Sequence, residues 1–293
     1  MLLKRLTLLI VLLASLALVA CGGTGAAEPT TEPAAAATEP MAEATEPAAE
    51  TTGLPDLGGR EITVAVENAY LPFNYIDPST SEPAGWDYEA IGAICELLNC
   101  KPVFVEAAWE GMIQAVADGQ YDMAADGITI TDERKEIVDF SDGYINIEQR
   151  LLARIDEDRF DSVQSFIDNA DLIIGTQTGT TNFETASQLL PADRIQAFEQ
   201  FPFAVQALIA GDIDAVIIDE TAGLGYQGAN ADALKLVGDS MSSDALGFIF
   251  PKGSDLVGPV NAALAEMQAN GTLATLADKY FTDAFTVTYE DLD

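Results

Sequence analysis

The 293-residue sequence has no histidine, three cysteines, and 13 basic residues against 48 acidic ones. Without imidazole there is no Ser/His/Asp or Cys/His nucleophile, no HExxH zinc protease and no imidazole metal cage. The formal charge of −35 argues against nucleic acid, whose phosphates must be neutralised by Lys and Arg. Yet 48% of the residues are hydrophobic, enough to bury a core rather than leave a disordered polyanion.

The uncharged run from Leu6 to Ala20 is shorter than the ~20 residues a spanning helix needs. Lys4 and Arg5 precede it and Leu18-Val19-Ala20-Cys21-Gly22 follows, so residues 1–20 read as a secretory signal ending in a lipobox, with Cys21 lipidated. Residues 21–59 are rich in Ala, Thr, Glu and Pro, with Thr-Glu-Pro at residues 31, 38 and 45. Such a tract buries almost nothing apolar and reads as a tether holding a domain off a membrane. Residues 1–59 hold two basic and seven acidic residues, so most of the acidity belongs to the chain from Arg60 onward.

From Arg60 the pattern changes. Ile62–Val66 is a β-type run, and a loop through Pro72 and Pro83 follows. From Asp87, Ile91, Ile94, Leu97 and Leu98 recur at helical spacing. Strands are expected at Val103–Val105, Asp122–Ala125, Arg150–Arg154, Leu172–Gly175, Ile195–Phe198 and Asp214–Ile218, with a last one at Ala245–Phe250. Helices are expected at Met112–Ala117, Val257–Ala269 and Leu273–Phe281. This alternation implies an α/β fold with mostly parallel sheets. Cys95 and Cys100 come into disulfide range if the first helix ends at Asn99; two buried thiols are the alternative. Two thiolates without histidine do not make a zinc site, and no metal or cofactor is expected. The acidic run from Asp156 to Asp161 lacks the sixth-position Gly and twelfth-position Glu of an EF-hand and reads as a solvated loop.

Three segments carry chemistry. In Gly127–Ser141, Thr129 offers a hydroxyl, and Arg134 lies near a helical turn capped by Thr131 or Asp132. A guanidinium there can fork onto a carboxylate, although alone the segment reads rather as a capped helix with solvated charges. Gly175–Thr181 leaves a strand and enters a helix, presenting hydroxyls and free N–H groups to an anion; no Lys follows, so it is not a Walker loop. Asp219 ends the apolar run Ala215–Ile218, where open α/β sheets bind ligands. Arg and an anion loop opposed by Asp suit a zwitterion.

The segments Val64–Phe73, Gly85–Glu89, Gly127–Ser141 and Gly247–Ser254 resemble, in order, the polar-amino-acid family of bacterial extracellular solute-binding proteins, the receptors of ABC importers. The likeness runs from about Arg60 to Phe281 and is nearest to glutamine and lysine/arginine/histidine binders. It implies a type II, two-lobed periplasmic-binding-protein-like α/β fold joined by two hinge strands. Lobe 1 would comprise residues 60–149 and 242–285, lobe 2 residues 150–241, and residues 286–293 a tail. By the same resemblance Arg134 binds the ligand carboxylate with Thr129 and Gly127, and Gln177, Thr180 and Thr181 contact it from the second lobe. Asp219 binds the ammonium, and Tyr70 and Trp109 sandwich the side chain. Glu67 and Asp126 depart from the family pattern, as do Trp86 and Tyr88. Two extra carboxylates near Asp219, against one Arg134, suit a basic side chain: arginine, lysine or ornithine, with glutamine next. If Asp126 points elsewhere, that argument weakens. The resemblance implies a monomeric lipoprotein on the outer face of the cell membrane that binds a free amino acid and hands it to ABC permease subunits. A ligand-sensing receptor subunit and a dehydratase-type enzyme are the alternatives.

Overall fold

A computed structural model describes residues 53–282 and 285–287. The signal segment, Cys21 and nearly all of the tether lie outside the described residues. The chain opens with β1 (Arg60–Val66), a meander of β2 (Ala69–Tyr70), β3 (Asn74–Ile76) and β4 (Pro83–Ala84), and α1 (Trp86–Leu98). Next come β5 (Cys100–Glu106), α2 (Met112–Ala117), β6 (Met123–Ala124), α3 (Asp132–Ile137), β7 (Val138–Phe140) and β8 (Ile145–Ile147). A second group holds β9 (Gln149–Arg154), α4 (Val163–Asp168), β10 (Ile174–Gln177), α5 (Thr181–Leu189), β11 (Ile195–Phe198), α6 (Phe201–Ala210), β12 (Ala215–Asp219), α7 (Glu220–Ala229) and β13 (Leu234–Val237). The chain returns through β14 (Asp244–Leu246), β15 (Ile249–Pro251), α8 (Val257–Ala269) and α9 (Thr272–Tyr280).

These elements make an α/β fold of two lobes, each around one five-stranded sheet: β5-β1-β6-β15-β7 and β11-β10-β12-β9-β13. The chain crosses between the sheets twice, and the two crossings pair as antiparallel strands, β8 with β14. In each sheet two pairings are parallel and two antiparallel, so the sheets are mixed rather than mostly parallel. The antiparallel pairings come from the crossing segments, which enter each sheet against its βα units. The expected strand Ala245–Phe250 is two strands: β14 pairs in the crossing and β15 in the first sheet, with Gly247–Phe248 as the break. The expected proline loop contains the short sheet β2-β3-β4.

The central strands are buried on both faces. In β1, Val64 and Val66 join one apolar cluster while Ala65 joins another on the opposite face; in β12, Val216 and Ile218 alternate in the same way with Ala215 and Ile217. Trp86 is 2% exposed, and its ring stacks on Tyr144 at 4.5 Å. That departure from the family pattern is therefore core packing.

Helix α1 ends at Asn99, which adopts φ 53° and caps it through an N–H bond to the Cys95 carbonyl. This reversal brings the Cα atoms of Cys95 and Cys100 to 4.5 Å, and the two are disulfide-bonded. Residues just before Arg60 pin to the same corner: Leu57 N–H donates to Leu98 O at 2.8 Å and Gly59 N–H to Asn99 O at 2.7 Å. At the other end Phe285 and Val287 are buried. The Asp-rich segment after β9 is held rather than solvated throughout: Glu157 accepts from Arg159 and Arg154, which keeps its carboxyl at about 2. No helix among the described residues is long and apolar enough to cross a membrane.

Candidate functional site

Parallel register places the polar residues at the carboxyl ends of neighbouring strands. Ala65 of β1 lies opposite Ala124 of β6; two residues further on each strand come Glu67 and Asp126. In the second sheet Gly175 lies opposite Val216, so Gln177 and Asp219 end β10 and β12 together. Open α/β sheets bind ligands at such ends. Here one cavity is lined by all eleven positions singled out in the sequence: Glu67, Tyr70, Trp109, Asp126, Gly127, Thr129, Arg134, Gln177, Thr180, Thr181 and Asp219.

The first sheet's contribution turns on Gly127, at φ 56°. A Cβ there would lie 2.6 Å from the Tyr70 ring, so only glycine lets the chain pass. Thr131, rather than Asp132, caps α3 and accepts from the Arg134 N–H at 3.1 Å. The Arg134 guanidinium donates to the Thr129 carbonyl at 2.9 Å and lies 5.3 Å from the Trp109 ring centroid. Among the described residues it has no carboxylate within ion-pair distance, and desolvation lowers its pKa. A partly buried guanidinium with unused donors is a receptor for a planar anion.

Across the cavity, Thr180 caps α5, accepting from the Phe183 N–H while its hydroxyl donates to the Gln177 carbonyl. The Gln177 amide donates to both Glu67 oxygens, at 2.9 and 3.1 Å. The Thr129 and Thr181 hydroxyls lie 3.3 Å apart. Asp219, 2% exposed, accepts from Tyr70 Oη at 2.6 Å and Asn182 Nδ2 at 3.0 Å. Side chains from the two lobes thus meet directly.

The carboxyls outnumber the cations. Burial raises Glu67 to about 6, with Gln177 acting against it, and raises Asp219 to about 6 against the donors Tyr70 and Asn182. Asp126 is pushed well above the usual range by burial and by the nearby Glu67 charge. Its Oδ1 accepts from Asn74 Nδ2 at 2.6 Å, and the same amide donates to Asp87 Oδ2 at 2.9 Å. Desolvation without an ion pair costs more than the neutral hydrogen bonds return, which is why all three stay raised.

Tyr70 differs from one half of a sandwich. Its ring lies near-parallel to Phe73 and to Phe201, each with centroids at 5.3 Å, and its hydroxyl goes to Asp219. Phe201 and Asn182 line the cavity and were not singled out from the sequence. Asn182 follows Thr181 in the same helix start and could have been included; Phe201, at the start of α6, carried no signal. Nor did the buried pair Asn74 and Asp87, which reads as a loop and a helix start.

The chain is similar to characterised proteins. The chain is 29% identical over 222 residues to the L-cystine-binding protein TcyJ of Escherichia coli strain K12, covering 75% of this chain and 82% of that one. The L-arginine-binding protein of Pseudomonas aeruginosa is 30% identical over 240 residues, covering 76% of this chain and 88% of its own. A solved ancestral arginine-binding protein bound to arginine superposes with a TM-score of 0.70 at 30% identity, covering 76% of this chain and 98% of that one. With residues 62–283 matching the bacterial extracellular solute-binding proteins, family 3, the chain belongs to that family.

Proposed function

We propose that this protein is the extracytoplasmic substrate-binding lipoprotein of an ABC importer, closing two lobes around a free amino acid with a basic side chain, with glutamine the next choice. The observation that carries this reading is the imbalance in the cavity. Among the described residues Arg134 has no ion-pair partner, and Glu67, Asp126 and Asp219 have no cation within ion-pair distance. An α-carboxylate answers Arg134, an α-ammonium answers Asp219, and a cationic side chain answers Glu67 and Asp126. Relatives named for arginine and cystine binding support an amino-acid ligand.

The lobes are divided at residues 60–149 with 242–285 and at 150–241, and closure presents a surface that a permease reads. The lipid anchor at Cys21 holds the protein, as a monomer, to the outer face of the membrane. We assign it no reaction, because the polar groups of the cavity complete a cage for a zwitterion and the relatives are named as binding proteins. Thermal unfolding with each common amino acid in excess tests the reading. A ligand at about 100 times its Kd adds about 2.7 kcal/mol. A rise with arginine, lysine or ornithine supports it; a rise with glutamine alone removes the basic ligand; no rise with any amino acid removes the receptor.

A further inference from the structure

Beyond the ligand contacts lies an assembly of carboxyl groups. Glu67 and Asp126 sit side by side at the ends of neighbouring parallel strands, and the backbone N–H of Glu67 helps hold the Asp126 carboxyl. Both are at most 5% exposed. Among the described residues neither has a Lys or Arg within ion-pair distance. Asn74, fully buried, spends its amide on Asp126 and Asp87, and its carbonyl accepts from the Asn68 N–H at 2.7 Å. Every polar atom of Asn74's side chain is therefore committed, and its position fixes that of Asp126. Asp87, also fully buried, keeps its second oxygen without a partner.

The charged and titratable groups facing the pair do not relieve it. Tyr70 on β2 donates its hydroxyl hydrogen bond to Asp219 at the end of β12, and Tyr144 ahead of β8 is a neutral phenol held up by burial. Asp87 on α1 adds negative charge beside Asp126. Among the described residues Arg134 on α3 is not within ion-pair distance of either carboxyl. Two adjacent buried carboxyls without a counter-ion cannot both stay ionised.

We propose that Glu67 and Asp126 share one proton in the ligand-free protein and release it when a cationic ligand side chain enters, with Asn74, clamped by Asp87, as the positioning residue that sets this exchange. One carboxyl O–H bond breaks, the electron pair stays on the carboxylate, and the proton leaves to solvent. The incoming guanidinium or ammonium takes its place, so the charge inside the cavity is unchanged. A neutral side chain such as glutamine leaves the proton where it is. Specificity for charge then depends on pH, with basic ligands favoured as pH rises and neutral ones indifferent. This rests on the proposed function above.

Calorimetric titration tests it, with L-arginine and L-glutamine as probes at pH about 6 in two buffers of different ionisation heat. Arginine is expected to release on the order of one proton per site, with affinity rising toward tenfold per pH unit, while glutamine releases almost none. E67Q and D126N should each abolish the release, and N74A should reduce it and narrow the preference for arginine. The midpoint of thermal unfolding identifies any variant that fails to fold, and E67Q alone suffices if D126N does. Equal proton counts for the two ligands, or release that persists in E67Q, overturns the exchange and leaves the receptor standing. Binding of neither probe overturns the receptor, and the exchange with it.

Discussion

Replacing Arg134 with Met keeps the length of the side chain and removes its charge and donors. The guanidinium commits one nitrogen to the Thr129 carbonyl at 2.9 Å, leaving the remaining donors for a ligand carboxylate, since no carboxylate among the described residues lies within ion-pair distance. Loss of one partner from such a pair, with the other left desolvated in the cavity, costs about 2–5 kcal/mol. At 1.4 kcal/mol per decade that is about 30-fold to a few thousand-fold in Kd. The ligand-free protein should respond in the opposite direction. Its own charge is partly buried without an ion pair, so removing it should leave stability unchanged or raise it by about 0–1 kcal/mol, a few degrees at most. R134K keeps the charge but not the planar fork and should fall between. Calorimetry with arginine gives the affinity, and thermal unfolding without ligand gives the stability. A loss below about tenfold, or a ligand-free midpoint that collapses with the affinity, would refute the role assigned to Arg134.

Three further outcomes are expected from the same geometry. G127A adds a methyl 2.6 Å from the Tyr70 ring at φ 56°, and should lower stability by about 1–3 kcal/mol in thermal unfolding and weaken the ligand as well. Asp87 is raised from the usual carboxylate range to about 7 by burial, so the unfolded chain ionises it first as pH rises. Its contribution is therefore favourable at about pH 4 and is lost as pH climbs through 7. D87N should stabilise the ligand-free protein at pH 8, on the order of 1–3 kcal/mol, and hardly at all at pH 4; equal gains at both would contradict this. Replacing Cys95 and Cys100 together by Ala opens a loop of sequence separation 5, costing about 2 kcal/mol in denaturant unfolding. Arginine affinity should stay unchanged, because this corner lies at the opposite end of α1 from Trp86 and the cavity.

The legible parts of the fold were those whose signal is local. The apolar runs of β1, β9 and β12 and the helical spacing in α1 and α8 depend on residues near each other in the chain, and these elements lie where expected. The pairings of β7, β8, β13 and β14 depend on distant partners, so neither their direction nor the break at Gly247–Phe248 could be read. Among the site residues, Thr129, Arg134, Thr180 and Asp219 sit at turns and strand ends with chemical signatures of their own. Asn74 and Asp87 have none: an Asn in a proline-rich segment and an Asp at a helix start are ordinary surface residues until packing buries them.

By itself the sequence determined the alternating α/β elements, the excess of acid over base, and the residues able to meet a carboxylate and an ammonium. These come from side-chain identity and short-range spacing, which folding does not alter. Only the tertiary structure decided that Glu67 and Asp126 stand side by side, that Tyr70 donates to Asp219, and that Arg134 faces a shared cavity without an ion-pair partner among the described residues. Those facts depend on strand register and on desolvation, and both are properties of segments that lie far apart along the chain.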